Sequence, residues 1–521
     1  MKSQPANEIN HDTAPPAMDH RGPPSTSTAF NKLPIEVIHR VLIAKCLIPN
    51  ADDEPRDFRT TELEVNKYRL ICHATNNAIA GDRYSFWRVL FRERFALAPG
   101  GGGKKSGELA AMYQRRSRYL RRAAAGRDFK HGGAIWEQKA LEVLRDLINE
   151  SFHGPQEFDQ FGDLFCKNQV ELREFIRDSK LIYNRKRVCP AGDDEEWGNT
   201  LAAVRLMCSQ LIFEMDGINK ADVIAMDDAQ EAVYAPTNDA RLYDGPKKNR
   251  LNVKWMVQCF DFFRRYMACP HSSNLYNTLG DLEESELPTA WDAPLSRGSY
   301  PLSRHWKGTY AYLEHPILKR MRRRSKLRST KDEEDLYIDL NIDEGKIQSL
   351  HLNFLEEGHT VYWPDSFEET LDSTRDTLNP TTRAQHSKKN ATADAASTRN
   401  IQFTGWGEDL EDTFYATGWL NPLPDQCEIP GWQRVTFMKH FDPDPANVDD
   451  DNLWAYEGVV LPGGKFILGR WWYANDEVNY NSDYNGPFIL WATSENEDEF
   501  PDLPPNSDDE DDEDDEDAYE T

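Results

Sequence analysis

The hydrophobic period of this chain changes near Tyr300, and no other feature of the sequence constrains its fold as strongly. Upstream of Tyr300, apolar residues recur at spacings of three and four within residues 136–147, 201–215 and 253–267. That spacing is typical of amphipathic helices that pack together through one apolar face. Downstream of Tyr300, apolar and polar residues alternate, which is typical of β-strands that bury one face. We therefore predict a helical part followed by a β-rich part.

The β-rich part contains about eight or nine candidate strands, separated by turns that are rich in Gly, Pro, Asn and Asp. The turn Leu-Pro-Gly-Gly at 461–464 joins two of the most regular candidates and predicts a β-hairpin. This number of strands is typical of a closed antiparallel barrel or of a sandwich, and we predict the barrel. The candidate strands lie at residues 305–313, 336–342, 350–354, 401–405, 413–420, 435–437, 453–460, 465–473 and 487–491.

Acidic residues dominate the charge of the chain. The formal net charge is −28, and residues 502–521 hold 12 Asp and Glu and no Lys or Arg. This balance argues against a nucleic-acid-binding protein. The chain has no apolar run long enough to span a membrane, and residues 1–28 lack the apolar region of a signal peptide. Its 8 Cys form no C-x-x-C pair, which is typical of reduced thiols in the cytoplasm or the nucleus.

An apolar segment near the N-terminus has the features of a small helical module. Pro34 suits the first turn of a helix, where a missing N–H costs nothing. Two further apolar blocks follow, at 68–72 and 85–90. Helices this short do not enclose a sizeable core by themselves. The apolar residues behind Pro34 share one helical face, and they are Val37, Ile38, Val41 and Leu42.

Three motifs in these blocks resemble the F-box, the helical module that binds the adaptor subunit of SCF-type ubiquitin ligases. They are Leu33-Pro34-Ile35-Glu36, Ile71-Cys72 and Phe86-Trp87. The resemblance implies docking on that adaptor and, through it, on a cullin scaffold, with an unknown protein substrate as a further partner. The residues that the resemblance assigns to the adaptor interface are Leu33, Pro34, Ile38, Val41, Leu42, Ile71, Cys72 and Trp87.

Two segments of the β-rich part, 403–409 and 454–458, resemble fungal F-box proteins, in which this domain looks like a calycin or lipocalin-type barrel. The predicted fold class is therefore multidomain α+β, because 521 residues are too many for a single core. The predicted segments are a disordered N-terminus (1–28), an F-box-like domain (29–95), a helical middle region (96–290), an antiparallel calycin-like barrel (291–500) with a disordered insertion (372–400), and an acidic disordered tail (501–521).

No catalytic constellation stands out in the sequence. It lacks H-E-x-x-H, G-x-S-x-G and a Gly-rich dinucleotide-binding loop. Cys259, Cys269 and His271 lie close together, but not at the spacing of structural zinc sites. Buried thiols are the expected interpretation, and a Cys–His nucleophile pair stays open as an alternative. We therefore expect a non-catalytic protein without a catalytic residue, a cofactor or a bound metal.

The function predicted by these patterns is recruitment of a protein substrate to an SCF-type ligase, with the target bound by the barrel. Two alternatives stay open. A calycin-like barrel of this size can hold a small ligand, with its Trp and Tyr side chains filling the interior or lining the mouth. Alternatively, the acidic tail holds basic clients in the manner of a chaperone.

A basic run at residues 319–328 carries seven Lys and Arg in ten positions. Such runs act as nuclear localisation signals or contact acidic partners. The acidic residues at 332–335 follow at once, so a self-neutralising exposed loop is an equal alternative. The predicted location, cytoplasmic or nuclear or both, is compatible with each interpretation.

Overall fold

The computed structural model describes residues 33–494 with several gaps. The residues left out between these limits are 48–57, 82–85, 98–102, 125–128, 130–131, 155, 159–161, 163, 183–194, 217–219, 221–225, 246–247, 271–274, 327–346, 357–358, 373–398, 410–411, 449–451, 475–478 and 484–485. Four predictions fall wholly or mostly on residues that are not described and stay predictions: the disordered segments 1–28, 372–400 and 501–521, and the strand at 336–342.

The chain divides into two compact units, residues 1–89 and 90–521. Pro34 precedes the first helix, and its carbonyl oxygen accepts the amides of Val37 and Ile38 at 3.0 and 3.2 Å. A proline therefore starts this helix, as its restricted φ favours. The helices of the first unit are α1 (Ile35–Leu47), α2 (Phe58–Arg69), α3 (His73–Ala80) and the beginning of α4 (Phe86–Arg94).

A small apolar core holds the first unit together. Its buried side chains include Ile38, Leu42, Val65, Ala78, Ile79 and Phe86. His39 is buried beside them, with its Nε2 atom 2.9 Å from the carbonyl oxygen of Ala78 and its ring 5.7 Å from that of Phe86. This contact ties α1 to α3 with a polar group whose hydrogen bond is satisfied inside the core.

The second unit begins with helices and two short hairpins. The apolar series at 136–147, 201–215 and 253–267 were predicted to be helical, and the structure confirms this, with a 3-10 turn (Leu211–Glu214) ending the second series. None of the helices described is both long and apolar enough to cross a membrane. The elements are α5 (Ser106–Ala124), α6 (Ile135–Asn149), β1 (Glu157–Phe158), β2 (Leu164–Phe165), α7 (Lys167–Asp178), α8 (Glu195–Gln210), α9 (Met226–Val233), β3 (Tyr243–Asp244), β4 (Arg250–Leu251), α10 (Val253–Ala268) and α11 (Leu275–Gly280).

The prediction of a closed antiparallel barrel is confirmed. Each of eight strands pairs antiparallel with the next along the chain, and the last strand pairs with the first. The strands are β5 (His305–Tyr310), β6 (Gln348–Phe354), β7 (Ile401–Asp409), β8 (Asp412–Pro422), β9 (Gln433–His440), β10 (Trp454–Val460), β11 (Phe466–Tyr473) and β12 (Gly486–Ala492). The connections hold α12 (His315–Lys326) after β5, α13 (Asp365–Leu371) after β6 and α14 (Tyr480–Asp483) after β11.

The barrel interior is filled by alternating large and small residues. Phe403 lies opposite Gly418 on the neighbouring strand, and Phe488 lies opposite Gly469. Gly469 also faces Gly458, and a Cβ atom on Gly469 would lie 2.2 Å from the carbonyl oxygen of Glu457. Glycines therefore make room for the aromatic rings, and the middle of the barrel is a packed core.

The outer face of β10 to β12 packs against the helices that precede the barrel. The ring of Phe466 lies 5.9 Å from that of Phe213 and 5.3 Å from that of Phe260 on α10. Tyr243 donates a hydrogen bond of 2.8 Å to the carbonyl oxygen of Gly458. Both faces of these strands are therefore buried, one by the barrel interior and the other by the helices.

Candidate functional site

Helix α1 exposes a row of large apolar side chains. Leu33, Val37 and Val41 follow one another at four-residue spacing and are 43%, 40% and 43% exposed. Val37 and Val41 lie four residues apart on one face of α1, and Leu33 lies just before the helix begins. We call these three exposed side chains the α1 stripe. Exposed apolar side chains grouped in this way make the α1 stripe a candidate docking surface.

The turn between α2 and α3 exposes two more apolar side chains, Leu70 and Ile71. The turn is fixed by Cys72, the N-cap of α3, whose amide donates to Thr75 Oγ1 at 3.2 Å. Thr75 Oγ1 in turn donates to the carbonyl oxygen of Cys72 at 2.9 Å. These bonds hold the start of α3, so that Leu70 and Ile71 are presented to solvent by an ordered backbone.

The residues assigned to the adaptor interface divide into two groups. Leu33, Pro34, Val41 and Ile71 are exposed, and Cys72 is half-buried. Ile38, Leu42 and Trp87 are buried and help to form the core of the first unit. Sequence reasoning left Val37 out of the interface, although its spacing from Leu33 and Val41 is the signal that identifies it. The buried residues pack the helices of the first unit together, and this packing fixes the positions of the exposed residues.

The charged residues near this apolar surface are mostly basic. Arg40 and Lys45 are exposed on α1, and Lys67 and Arg69 are exposed at the end of α2, next to Leu70. Lys67 pairs with Glu64 at 2.6 Å, which is a weak surface ion pair. A partner with an apolar groove and acidic side chains at its rim is therefore complementary to this surface.

The barrel has one closed end and one that we call the barrel mouth. Tyr300 and Leu302 pack into the interior cluster at the end where β5 begins, and the Tyr300 amide donates a hydrogen bond of 3.1 Å to Gln433 Oε1. At the other end, inward-facing positions on the last rungs of the strands are polar or aromatic. These mouth residues are Tyr310, Asp409, Lys439, Trp454, Trp471 and Tyr473.

Lys439 is a buried cation at the barrel mouth. Its Nζ atom donates to Asp409 Oδ2 at 2.5 Å and lies 4.1 Å from the centre of the Phe414 ring. Burial lowers the pKa of Lys439, while the charge and hydrogen bond of Asp409 act in the opposite direction. Asp409 therefore balances the charge of Lys439 inside the mouth.

Two histidines form a pair on the outside of the barrel. His305 and His351 are directly opposite each other on β5 and β6, with their Nδ1 atoms 2.7 Å apart. The ring of His351 stacks on Trp406 with centroids 4.4 Å apart. Burial, followed by the charges of His305 and Lys307, lowers the pKa of His351 to about 4. No group of three or more His, Cys, Asp and Glu side chains within the described ranges is placed to hold a metal ion.

The cysteines considered as nucleophiles are poorly suited to that role. Cys259 and Cys269 are buried, and burial raises the pKa of the Cys259 thiol well above its usual range. A thiol that stays protonated is a poor nucleophile. His271 lies outside the described residues, so the alternative of a Cys–His pair is left without geometric support.

The basic run at 319–328 falls largely on α12. Leu318 and Met321 are buried, whereas Lys319, Arg320 and Arg323 are exposed. Arg322 Nε donates to the carbonyl oxygen of Tyr234, next to α9, at 2.8 Å. The described part of the run is therefore an amphipathic helix with a basic outer face.

Comparisons with protein-family models, with curated proteins and with solved structures find no match to this chain. The structure establishes an α+β protein with a closed eight-stranded antiparallel barrel.

Proposed function

We propose that this chain is a non-catalytic, substrate-recruiting F-box subunit of an SCF-type ubiquitin ligase. In this proposal the α1 stripe, together with Leu70 and Ile71, docks on the adaptor, which links the chain to a cullin scaffold. The barrel captures the protein target. The single observation that carries the proposal is the exposure of Val37 and Val41 on α1 and of Leu33 just before it, next to the motifs that resemble an F-box.

The energetics of the α1 stripe favour docking. Burying a large apolar side chain that was exposed contributes about 1.5–3 kcal/mol before the costs of association. The three side chains of the α1 stripe, together with Leu70 and Ile71 in the turn between α2 and α3, supply the apolar centre that protein interfaces require. The helix needs little rearrangement to bind, because Ile38 and Leu42 already anchor its adjacent face in the core.

The proposed role needs no catalytic group in this chain. Holding a target near an activated ubiquitin raises the effective concentration of its lysine, which is a contribution of proximity and orientation. The conjugation chemistry belongs to other subunits of the ligase. A cytoplasmic or nuclear location follows from the same proposal and stays a prediction.

A ligand deep inside the barrel is a less favoured alternative. The interior is filled by aromatic side chains, and a Cβ atom on Gly458 would lie 2.9 Å from the Phe488 ring. A small ligand would therefore bind at the barrel mouth and not in the middle of the barrel. The chaperone alternative depends on residues 501–521, which are outside the described residues, and it stays a prediction.

Co-purification of the adaptor with the full-length chain tests the proposal. Val37→Asp places a charge in the α1 stripe and should lower adaptor affinity by about thirtyfold, the effect of losing one central anchor. Ile135→Asp is the matched control, since Ile135 is also exposed on a helix but lies in the second unit. Equal adaptor recovery with wild-type chain and Val37→Asp, or none with the wild-type chain, would contradict the proposal.

A further inference from the structure

The outer face of α12 carries cations that are not neutralised by a neighbour. Lys319, Arg320 and Arg323 are exposed, and their spacing places them on one face of the helix, which we call the α12 basic face. Leu318 and Met321, on the other side of the helix, are buried. Within the described part of the chain, none of the three exposed cations forms a hydrogen bond or an ion pair. The α12 basic face therefore attracts an anion.

The acidic residues next to α12 do not supply that anion. Helix α12 is connected to the end of α9 by Arg322, which donates to the carbonyl oxygen of Tyr234. Asp227, Asp228 and Glu231 of α9 have interactions of their own, and these do not involve the α12 basic face. Glu314 precedes α12 and is exposed, but among the described residues it does not pair with the three cations either.

The other Arg-rich helix, α5, differs in this respect. Its exposed arginines are Arg115, Arg118 and Arg121. Arg115 pairs with Glu142 and Asp146 of α6 at 2.6 and 3.7 Å. Arg121 also takes part in an interaction. Neighbouring groups therefore engage two of the three exposed arginines of α5, whereas the α12 basic face is left to solvent.

The most acidic segment of the chain can reach the α12 basic face. Residues 508–517 are an unbroken run of Asp and Glu. After β12, the amides of Thr493 and Ser494 donate to the carbonyl oxygens of His305 and Ser285 at 3.1 and 2.8 Å, which fixes the chain beside the start of β5. Helix α12 follows the other end of β5, about 20 Å away along the strand. Residues 495–507 can extend over about 45 Å, at about 3.5 Å per residue.

We propose that the acidic run at 508–517 binds the α12 basic face of the same molecule. Each exposed ion pair contributes little by itself. Because the run belongs to the same chain, however, its effective concentration at α12 is about millimolar, and several pairs form together. Another anionic partner then reaches α12 only by displacing the run. This inference goes beyond the proposed function and does not depend on it.

Carbodiimide cross-linking of the full-length chain tests the inference. The reagent joins a carboxylate to a lysine amine that it contacts, and mass spectrometry identifies the two residues. In the monomer, at about 0.1 M salt, Lys319 should be linked to residues 508–517 about fivefold more than Lys105, an exposed lysine just before α5. At about 1 M salt the Debye length falls to about 3 Å, and this preference should disappear.

Two double variants make the test specific to α12. Arg320→Gln with Arg323→Gln removes two cations beside Lys319 without adding a carboxylate, and it should lower the yield of the Lys319 link about fivefold. Arg118→Gln with Arg121→Gln is the matched control, because these arginines are also exposed and three residues apart on a helix. It changes the net charge equally and should leave the yield within about twofold of wild type.

Equal yields at Lys319 and Lys105, or a Lys319 yield that Arg320→Gln with Arg323→Gln does not change, would overturn the inference. Links from Lys319 to the acidic residues at 332–335 but not to 508–517 would also overturn it, since the basic run would then be neutralised by its own neighbours in sequence. Links to 508–517 found only in a covalent dimer would place the run on a second copy of the chain and contradict the inference as well.

Discussion

The first helix and the barrel differ in how they treat apolar surface. Helix α1 leaves Val37 and Val41 exposed, and Leu33, just before it, is exposed as well. The barrel interior is packed so closely that Gly458 and Gly469 face each other without room for a methyl group. On the outside of β9 and β10, Arg434 and Glu457 are also buried, and they pair with each other.

This difference indicates which part of the molecule has apolar surface left to bind a partner. The barrel buries its apolar groups in a packed interior, so it acts as a stable support. Helix α1 buries Ile38 and Leu42 in the core and leaves Val37 and Val41 exposed to solvent. The proposed function therefore uses the α1 stripe as its docking surface. The four predictions below probe this contrast.

The largest effect is expected from the buried ion pair. Arg434 NH2 lies 2.6 Å from Glu457 Oε1, and their side chains are 1% and 6% exposed. Burial raises the pKa of Glu457, but Arg434, Lys248 and the Tyr480 hydroxyl group outweigh it and hold that pKa at about 2. Arg434→Leu leaves this carboxylate without its main partner and should lower the free energy of unfolding by about 3–5 kcal/mol at neutral pH.

Urea denaturation measures this loss, and Arg297→Leu is the control. Arg297 and Asp425 are equally close, at 2.6 Å, but the Arg297 side chain is 74% exposed. Its loss should cost less than about 1 kcal/mol. Because the Glu457 pKa is below its unfolded value, the stabilisation by the pair is present above about pH 4.5 and is lost as the pH falls toward 2. Equal losses in the two variants would show that burial of the pair has no influence.

Two neighbouring residues of α1 sharpen the contrast within a single helix. Ile38 is 3% exposed and Val37 is 40% exposed. Ile38→Ala should lower the free energy of unfolding of the first unit by about 2–4 kcal/mol, because it leaves a cavity in a small core. Val37→Ala should change it by less than about 0.5 kcal/mol. Circular dichroism during denaturation distinguishes them, and similar losses would mean that the two faces of α1 are misassigned.

An added methyl group tests the packing of the barrel interior. Gly469→Ala would place a Cβ atom 2.2 Å from the carbonyl oxygen of Glu457 and 2.5 Å from Cα of Gly458. Relieving these contacts requires a shift of two strands, with an expected cost of about 1–3 kcal/mol. Gly133→Ala is the control, because nothing lies within 4 Å of its added Cβ. A Gly469→Ala variant as stable as Gly133→Ala would indicate a loosely packed barrel.

The smallest effect is expected from the histidine pair. The pKa of His351, about 4, is below that of an unfolded histidine, about 6.5. The neutral ring therefore stabilises the fold above about pH 6.5, and this stabilisation is lost as the pH falls to about 4.

Since His351 is only half-buried, we expect a loss of about 1 kcal/mol over that range. His351→Gln should reduce this pH dependence, measured as the shift of the urea midpoint. His359→Gln, at an exposed position, serves as the control and should not alter it. The same pH dependence in wild type and His351→Gln would rule out a contribution of the pair.

Much of the fold could be predicted from the sequence, because the spacing of apolar residues is set locally within each helix or strand. The alternation of apolar residues located the barrel strands, and seven of these eight strands overlap a candidate segment by most of their length. Strand β9 was indicated by Val435 and Phe437 alone. Its burial on both faces removes the alternation from the rest of the strand, because the outer face packs against other elements.

The candidate sites were less accessible to sequence reasoning. Ile38 and Val37 are adjacent apolar residues of one helix, and only packing decides which of them is buried. Asp409 and Lys439 are 30 positions apart, and His305 and His351 are 46 positions apart. These pairs form through the register of neighbouring strands, which the period of a sequence does not fix.

Hydrogen–deuterium exchange of the full-length chain, with and without purified SCF adaptor, tests the central claim most directly. Docking through the α1 stripe should slow amide exchange in α1 (Ile35–Leu47) and in the turn at Leu70 and Ile71. Exchange in the buried strands β9 to β12 should be unchanged, because the barrel is already complete. Protection confined to the barrel, or no protection at an adaptor concentration that saturates binding, would contradict the account.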